Sequence, residues 1–167
     1  MNPETISEFS LAGVSALIVE DENLIAMDVE GLLRDFGADR VWSTGALKEA
    51  RRIMTENADI SIVILDLKLR DGCGEELLAE LVEANVPVIV TTGYVGFSCA
   101  LTPVICKPYS TEGLLVKIQG LLQHSRREVH TQKPRPKRRR HFRAAAPVLP
   151  TETRQLLQAR RDDRRTL

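Results

Sequence analysis

Four short segments, far apart in the chain, hold side chains that could act together chemically. Each follows a run of apolar residues: the acidic pair Glu20 and Asp21, then Asp66, Thr92 and Lys107. If these runs are parallel strands, their carboxyl ends lie along one edge of a sheet, where chemistry collects in such folds. We therefore expect three carboxylates, a hydroxyl and an ammonium group to face one cleft.

Such a cleft would attract a metal ion. Carboxylates within a few ångströms repel each other, so either one keeps its proton or a cation joins them. The donors are oxygens with no His or Cys among them, which favours a hard ion, and Mg²⁺ is the best candidate. Glu20 and Asp21 form the pair suited to the metal, with Asp66 beside them. The remaining protein ligand is expected to be a main-chain carbonyl just beyond Asp66, near Lys68.

The same residues could accept a phosphoryl group. Asp66 follows the most apolar run directly and stands alone there, so it is the best candidate for a nucleophile that forms an aspartyl phosphate. Thr92 could donate its hydroxyl to one phosphoryl oxygen, and Lys107 could place its positive charge near another. A Mg²⁺ ion held by the carboxylates would neutralise charge on the transferring group.

The hydropathy pattern predicts the elements that would position these residues. Apolar runs alternate with segments whose apolar residues recur every three or four positions, which is typical of successive βαβ units. The last of these helical segments has Ser110 or Thr111 placed to cap its start. The pattern predicts an α/β fold, with a parallel sheet covered by helices on both faces. The predicted strands are residues 14–19, 41–44, 60–65, 86–91 and 103–106.

One connection is too short for the pattern. Only nine residues, YVGFSCALT, separate Gly93 from Pro103, and they include an internal Gly96. A normal crossover helix does not fit comfortably into this length. We therefore expect a loop, or a single turn at most, in place of the fourth helix.

These motifs carry a family resemblance. Residues 14–122 resemble the receiver domain of two-component response regulators, and the match covers about 110 residues in the family's order. The resemblance implies a flavodoxin-like, doubly wound five-stranded parallel sheet with strand order 2-1-3-4-5. The matching motifs are LIVEDE (residues 17–22), ILDLKLRDGCG (64–74), TTGY (91–94) and CKPY (106–109).

The resemblance also implies roles for the residues singled out above. Glu20 and Asp21 match the acidic metal-site pair, Asp66 the phosphoacceptor, Thr92 the switch hydroxyl and Lys107 the family's lysine. The phosphoryl donor of such a domain is a histidine kinase or a histidine phosphotransfer protein. The peptide bond between this lysine and the following proline is usually cis in the family, as X-Pro bonds permit.

Two features depart from the usual family pattern. The family's switch aromatic lies three positions before the lysine, where this chain has Val104. The TTGY segment is similar to the variant motif of a receiver subgroup common in alphaproteobacteria, many of whose members are stand-alone receivers. We therefore expect the surface that reports phosphorylation to be rebuilt around residues 94–102, with Tyr94 as the aromatic of interest.

A net charge of zero conceals two oppositely charged parts. Residues 1–123 contain 9 Lys and Arg against 19 Asp and Glu, whereas residues 124–167 contain 14 against 4. We predict an N-terminal extension (1–12), a receiver domain (13–123) and a basic, disordered tail (124–167). The tail could be a solubilising extension, an arm that binds nucleic acid or another anionic surface, or a segment that lies across the acidic body.

Other features predict the compartment. The N-terminal residues lack the pattern of a secretory signal, and no apolar run is long enough to span a membrane. The three cysteines, Cys73, Cys99 and Cys106, have no metal-site spacing and are expected to be small core residues in a reducing compartment. We therefore predict a soluble, cytoplasmic protein.

The leading hypothesis is a phosphoacceptor that switches a protein contact and does not turn over an external substrate. One alternative is a Mg²⁺-dependent phosphohydrolase with an aspartyl nucleophile, although such enzymes usually carry a second acid two residues later, where this chain has Lys68. Another is a nucleic-acid-binding regulator that acts through the tail, without a base-reading motif. The downstream partner and the signal are not encoded in any recognisable pattern.

Overall fold

The structure is a computed structural model that describes residues 9–94 and 96–131, with side chains as far as residue 123. Most of the predicted N-terminal extension and residues 132–167 of the predicted tail lie outside these residues. The predictions of a disordered tail and of its binding to nucleic acid or an anionic surface therefore stay predictions.

The five predicted strands form one parallel sheet. Its order is β2-β1-β3-β4-β5, which confirms the predicted 2-1-3-4-5 topology. The strands β1, β3 and β4 are buried along their whole length, as their runs of branched apolar residues require. Their bounds are β1 Ser15–Val19, β2 Arg40–Thr44, β3 Ile62–Asp66, β4 Val88–Thr92 and β5 Val104–Cys106.

Two helices cover each face of the sheet. The apolar side chains of α1 and α4 pack with one face of the strands, and those of α2 and α3 pack with the other. Their bounds are α1 Asn23–Asp35, α2 Leu47–Glu56, α3 Glu75–Glu83 and α4 Thr111–Thr131. Helices therefore cover both faces of the sheet, which confirms the doubly wound fold.

The shortened connection is also confirmed. The described residues between β4 and β5 contain no helix. Instead the segment is anchored at its end, where the buried hydroxyl of Thr102 donates a hydrogen bond to the carbonyl oxygen of Val88. Phe97 is half-buried and packs against the core cluster of α2 and α3.

The last helix is longer than the apolar pattern predicts. It is capped as expected, because the hydroxyl of Ser110 accepts a hydrogen bond from the backbone N–H of Gly113 at 3.1 Å. It continues to Thr131, eight residues past the domain boundary predicted after residue 123. The first part of the predicted tail is thus helical, because Arg and Glu continue a helix without needing a core to pack on.

The expectation of core cysteines is wrong for two of the three. Cys73 and Cys106 are exposed, and Cys99 is half-buried. Cys73 lies in a short antiparallel ribbon beyond β3, formed by Lys68–Leu69 and Gly72–Cys73, and Cys106 ends the edge strand β5. Both positions are at the rim of the sheet, where helices no longer cover the strands. Among the described residues, no helix is long and apolar enough to cross a membrane.

A close backbone contact holds the loop after β3 in place. Gly74 follows the ribbon, and its N–H donates to the carbonyl oxygen of Leu67 at 2.9 Å. A Cβ atom at position 74 would lie 2.6 Å from the carbonyl oxygen of Asp66 and 3.1 Å from the Cα atom of Leu67. Only glycine permits this approach, so Gly74 helps to set where Asp66 leaves the sheet.

We predict that Gly74→Ala lowers the free energy of unfolding by about 2 kcal/mol, the cost of forcing an extra methyl group into a packed site. The matched control is Gly31→Ala, in the middle of α1, where a Cβ atom meets nothing within 4 Å. This change should raise stability by up to about 1 kcal/mol through helix propensity. Urea unfolding followed by circular dichroism measures both, and equal stability of Gly74→Ala and wild type would contradict the packing argument.

Candidate functional site

The site is built around one ammonium group between two buried carboxylates. The Nζ atom of Lys107 lies 2.6 Å from Oε2 of Glu20 and 2.7 Å from Oδ2 of Asp66. Glu20 directly follows β1, Asp66 ends β3 and Lys107 directly follows β5. The chain brings together residues 46 and 41 positions apart only because these strands are parallel and end at one edge.

Asp21 completes an acidic cluster. One carboxylate oxygen from each of Glu20, Asp21 and Asp66 lies within 4.8 Å of the others. Asp21 is held by Arg70, whose backbone N–H and Nε atom lie 3.1 and 3.2 Å from its Oδ2 atom. The Arg70 side chain is mostly exposed, so this pair is screened by solvent and contributes little to stability. Sequence patterns did not single out Arg70, because its role depends on the fold of the loop after β3.

The electrostatics show a shortage of positive charge. Burial raises the pKa of the Glu20 carboxyl above its ordinary value, and the hydrogen bond from Lys107 only partly offsets this effect. Burial alone would lower the pKa of the Lys107 ammonium, but the hydrogen bonds to Asp66 and Glu20 outweigh it and raise that pKa. Glu20 and Asp66 therefore share the ammonium of Lys107, and Asp21 has only the mostly exposed Arg70.

The donor set fits a divalent ion. A hard cation such as Mg²⁺ takes carboxylate oxygens and keeps several waters, and the three clustered carboxylates supply oxygen ligands and excess negative charge. Glu20, Asp21 and Asp66 would hold it. The fourth predicted ligand, the main-chain carbonyl of Lys68, stays a prediction. The side chain of Lys68 is exposed, in keeping with the expectation that its identity is unimportant to the site.

Backbone donors orient two of the carboxylates. The N–H of Lys68 donates to Oδ1 of Asp66 at 3.0 Å, and the N–H of Glu22 donates to Oε1 of Glu20 at 3.2 Å. In each carboxylate, one oxygen therefore accepts a hydrogen bond from a backbone N–H and the other accepts one from Lys107. Both acids are held at two points, so their orientation is set before any ligand arrives.

Thr92 lies at the end of β4, buried, and links the neighbouring elements. Its carbonyl oxygen accepts a hydrogen bond from the N–H of Lys107 at 2.8 Å, and its Oγ1 atom accepts one from the N–H of Tyr94 at 3.1 Å. Among the described residues, the hydrogen bond found for this hydroxyl is one that it accepts, so it can still act as a donor. Val104, in place of the family's aromatic, is half-buried against the core of α2 and α3.

Comparison with known proteins places this geometry in a family. The model of the response regulator receiver domain matches residues 16–119, which include every residue predicted for the site. The chain belongs to this family. The predicted cis peptide bond of these domains is also present, between Lys107 and Pro108.

Known receiver domains resemble the chain in sequence and in structure. The phyllosphere-induced regulator PhyR of Methylorubrum extorquens is 36% identical over 80 residues, covering 47% of this chain and 30% of that protein. The transcriptional regulatory protein DpiA of Escherichia coli K12 is 39% identical over 84 residues, which cover 48% of this chain and 37% of that protein. A receiver domain from Clostridium thermocellum superimposes with a TM-score of 0.63 at 25% identity, covering 70% of this chain and 99% of that one.

The two curated regulators are similar to this chain over only part of their length. The chain matches about a third of the length of each. What their remaining parts do is therefore not carried over to this chain.

We predict a pH-dependent gain in stability for Glu20→Gln. The pKa of Glu20 in the folded protein lies above 4.5, its ordinary value, so the folded state binds the proton more tightly than the unfolded state. The wild type therefore loses stability relative to this variant as the pH rises from 4.5 through the folded pKa of Glu20. Urea unfolding at a series of pH values should show the advantage of the variant growing towards neutral pH and shrinking in acid.

Glu83→Gln is the matched control for this change. It removes the same charge from the exposed side of α3, outside the cluster. A pH profile of Glu20→Gln that runs parallel to that of the wild type would contradict the burial argument.

Proposed function

We propose that the protein is a Mg²⁺-dependent phosphoacceptor in two-component signalling, phosphorylated on Asp66 by a phosphohistidine donor. The donor would be a histidine kinase or a histidine phosphotransfer protein, and the compartment the cytoplasm. The proposal is carried by the position of Lys107, whose ammonium contacts Asp66 and Glu20 at once in an acidic cluster that belongs to a receiver domain.

The proposed step is a displacement at phosphorus. An oxygen of Asp66 forms the new O–P bond, the N–P bond of the donor's phosphohistidine breaks, and its electron pair returns to the imidazole. Lys107 already lies 2.7 Å from Oδ2 of Asp66 and would stabilise the charge that moves onto the phosphoryl oxygens. A bound Mg²⁺ would supply further neutralisation of that charge.

Thr92 is proposed to carry the change outward. Its hydroxyl proton would be donated to a phosphoryl oxygen, while its Oγ1 atom accepts from the N–H of Tyr94. Movement of Thr92 towards the phosphoryl group would therefore pull on the start of segment 94–102, whose described residues contain no helix. The output would be a changed contact with another protein, reached by a shift between two conformations.

This role does not require turnover of an external substrate. Phosphohydrolases that use an aspartyl nucleophile need a second acid to protonate the leaving group, and the residue two positions after Asp66 is the exposed Lys68. The site instead supports a reaction in which the protein gains and loses its own phosphoryl group.

Acetyl phosphate with Mg²⁺ tests the phosphoacceptor directly. Intact mass spectrometry of the wild type should show the addition of one phosphoryl group, which hydroxylamine removes because it cleaves acyl phosphates. Asp66→Asn should show none, since an amide is not a nucleophile here. The control Asp35→Asn, at the exposed end of α1, should be labelled like the wild type. Undiminished labelling of Asp66→Asn would refute the assignment.

The metal site is tested separately through stability. Mg²⁺ should raise the melting temperature of the wild type, because an ion that binds only the folded state stabilises it by mass action. Asp21→Asn should weaken Mg²⁺ affinity by about tenfold or more, since a neutral amide replaces one of the carboxylate ligands. Thermal unfolding across a Mg²⁺ titration measures both, with Asp35→Asn as the charge-matched control. An unchanged Mg²⁺ response of Asp21→Asn would place the ion elsewhere.

A further inference from the structure

A groove of about 430 Å³ runs beside the site, between α1 and the start of α4. Its inner part is apolar, formed by Ile25, Val29 and Leu32 of α1 and by Leu114 of α4. Lys107 also lines it, so a molecule in the groove could contact the residue whose ammonium lies 2.7 Å from Oδ2 of the proposed phosphoacceptor.

The rim of the groove is acidic. Glu22 and Asp28 line it, and both are exposed. The ammonium group of Lys107, which also lines it, is already paired with Glu20 and Asp66. Lys107 is the only cation among the lining residues, and both of its acidic partners come from the cluster. The groove therefore offers apolar surface with uncompensated negative charge along one side, which suits a cationic segment with long aliphatic stems or an aromatic ring.

A segment of this chain has that chemistry. Residues 139–143 read RRHFR, with three arginines, one aromatic residue and no acid, whereas the later arginines at 160–165 are interrupted by Asp162 and Asp163. Arginine stems pack along apolar surface while their guanidinium groups pair with carboxylates at the rim. Charge and composition therefore favour residues 139–143 over the rest of the tail.

Chain length permits the contact. The helix α4 lines the groove at Leu114 and ends at Thr131, so the chain leaves it about 26 Å away at 1.5 Å per residue. An extended chain covers about 3.3 Å per residue, so eight residues suffice to return and position 139 is the first to reach the groove. A short connecting loop also keeps the entropic cost of closure low.

We propose that residues 139–143 bind in this groove of their own chain, with their arginines at Glu22 and Asp28. The bound segment would cover the approach to Asp66 from the side of α1. Leu24 and Met27 of α1 are large apolar residues that are 78% and 65% exposed to solvent. A protein that docked across α1 would have to displace the segment. This consequence, competition with the phosphoryl donor, rests on the proposed function, whereas the contact itself does not.

Limited trypsin digestion of the full chain at low salt tests the contact. Cleavage after Arg139, Arg140 and Arg143 is measured relative to cleavage after Arg160 and Arg161 in the same sample. Glu22→Gln combined with Asp28→Asn should raise this ratio by about threefold or more, as expected for the loss of two exposed charge pairs. Glu76→Gln combined with Glu83→Gln removes two exposed charges from α3, on the other face of the sheet, and should leave it unchanged. Equal ratios in all three proteins would overturn the proposal.

Zero-length cross-linking locates the segment independently. Arg140→Lys keeps the charge and supplies an amine that a carbodiimide couples to a neighbouring carboxylate. We expect links from position 140 to Glu22 or Asp28 within one molecule, as shown by mixing ¹⁵N-labelled and unlabelled protein. Links to Glu76 and Glu83 at equal frequency, or links only between molecules, would overturn it. The unphosphorylated protein is used, so the result is independent of whether Asp66 is labelled by acetyl phosphate.

Discussion

The site depends on the contact of the Lys107 ammonium with two buried carboxylates, at 2.6 and 2.7 Å. Removing Lys107 would leave Glu20 and Asp66 facing each other with no buried cation, which is among the costliest changes available in a protein interior. With Lys107 in place, the cluster still has more negative than positive charge. This excess of carboxylates is the reason that the proposed function assigns a divalent ion to the site.

The parallel sheet is what makes this contact possible. Glu20, Asp66, Thr92 and Lys107 come from the ends of four strands, and strand pairing fixes their spacing, with Asp66 opposite Thr91 and Thr92 opposite Cys106. The loop beyond β3 also helps to position Asp66. The backbone N–H of Lys68 donates a hydrogen bond to its carboxylate, and Gly74 permits the chain to pass close to its carbonyl oxygen. Backbone hydrogen bonds and strand pairing therefore position the side chains that Lys107 contacts.

Two features set this receiver domain apart from the usual pattern that it resembles. The helix between β4 and β5 is missing from the described residues, and the position of the usual aromatic is taken by Val104, which packs into the core. The link from Thr92 to the N–H of Tyr94 leads directly into the helix-free segment. In the proposed function, this short loop would move without the cost of shifting a packed helix.

The sequence by itself determined the strands and the identity of the clustered side chains, because apolar periodicity and strand-end residues are local properties that survive without coordinates. The strand order was implied by the resemblance of the motifs to receiver domains. It also predicted the missing helix, from length alone. It did not predict that Cys73 and Cys106 would be exposed, that Arg70 would hold Asp21, that α4 would continue to Thr131, or that a groove would open beside Lys107. These features depend on where one element ends relative to its neighbours in space. Only the tertiary structure decides that, since burial and contact are set by packing between residues that are distant in the chain.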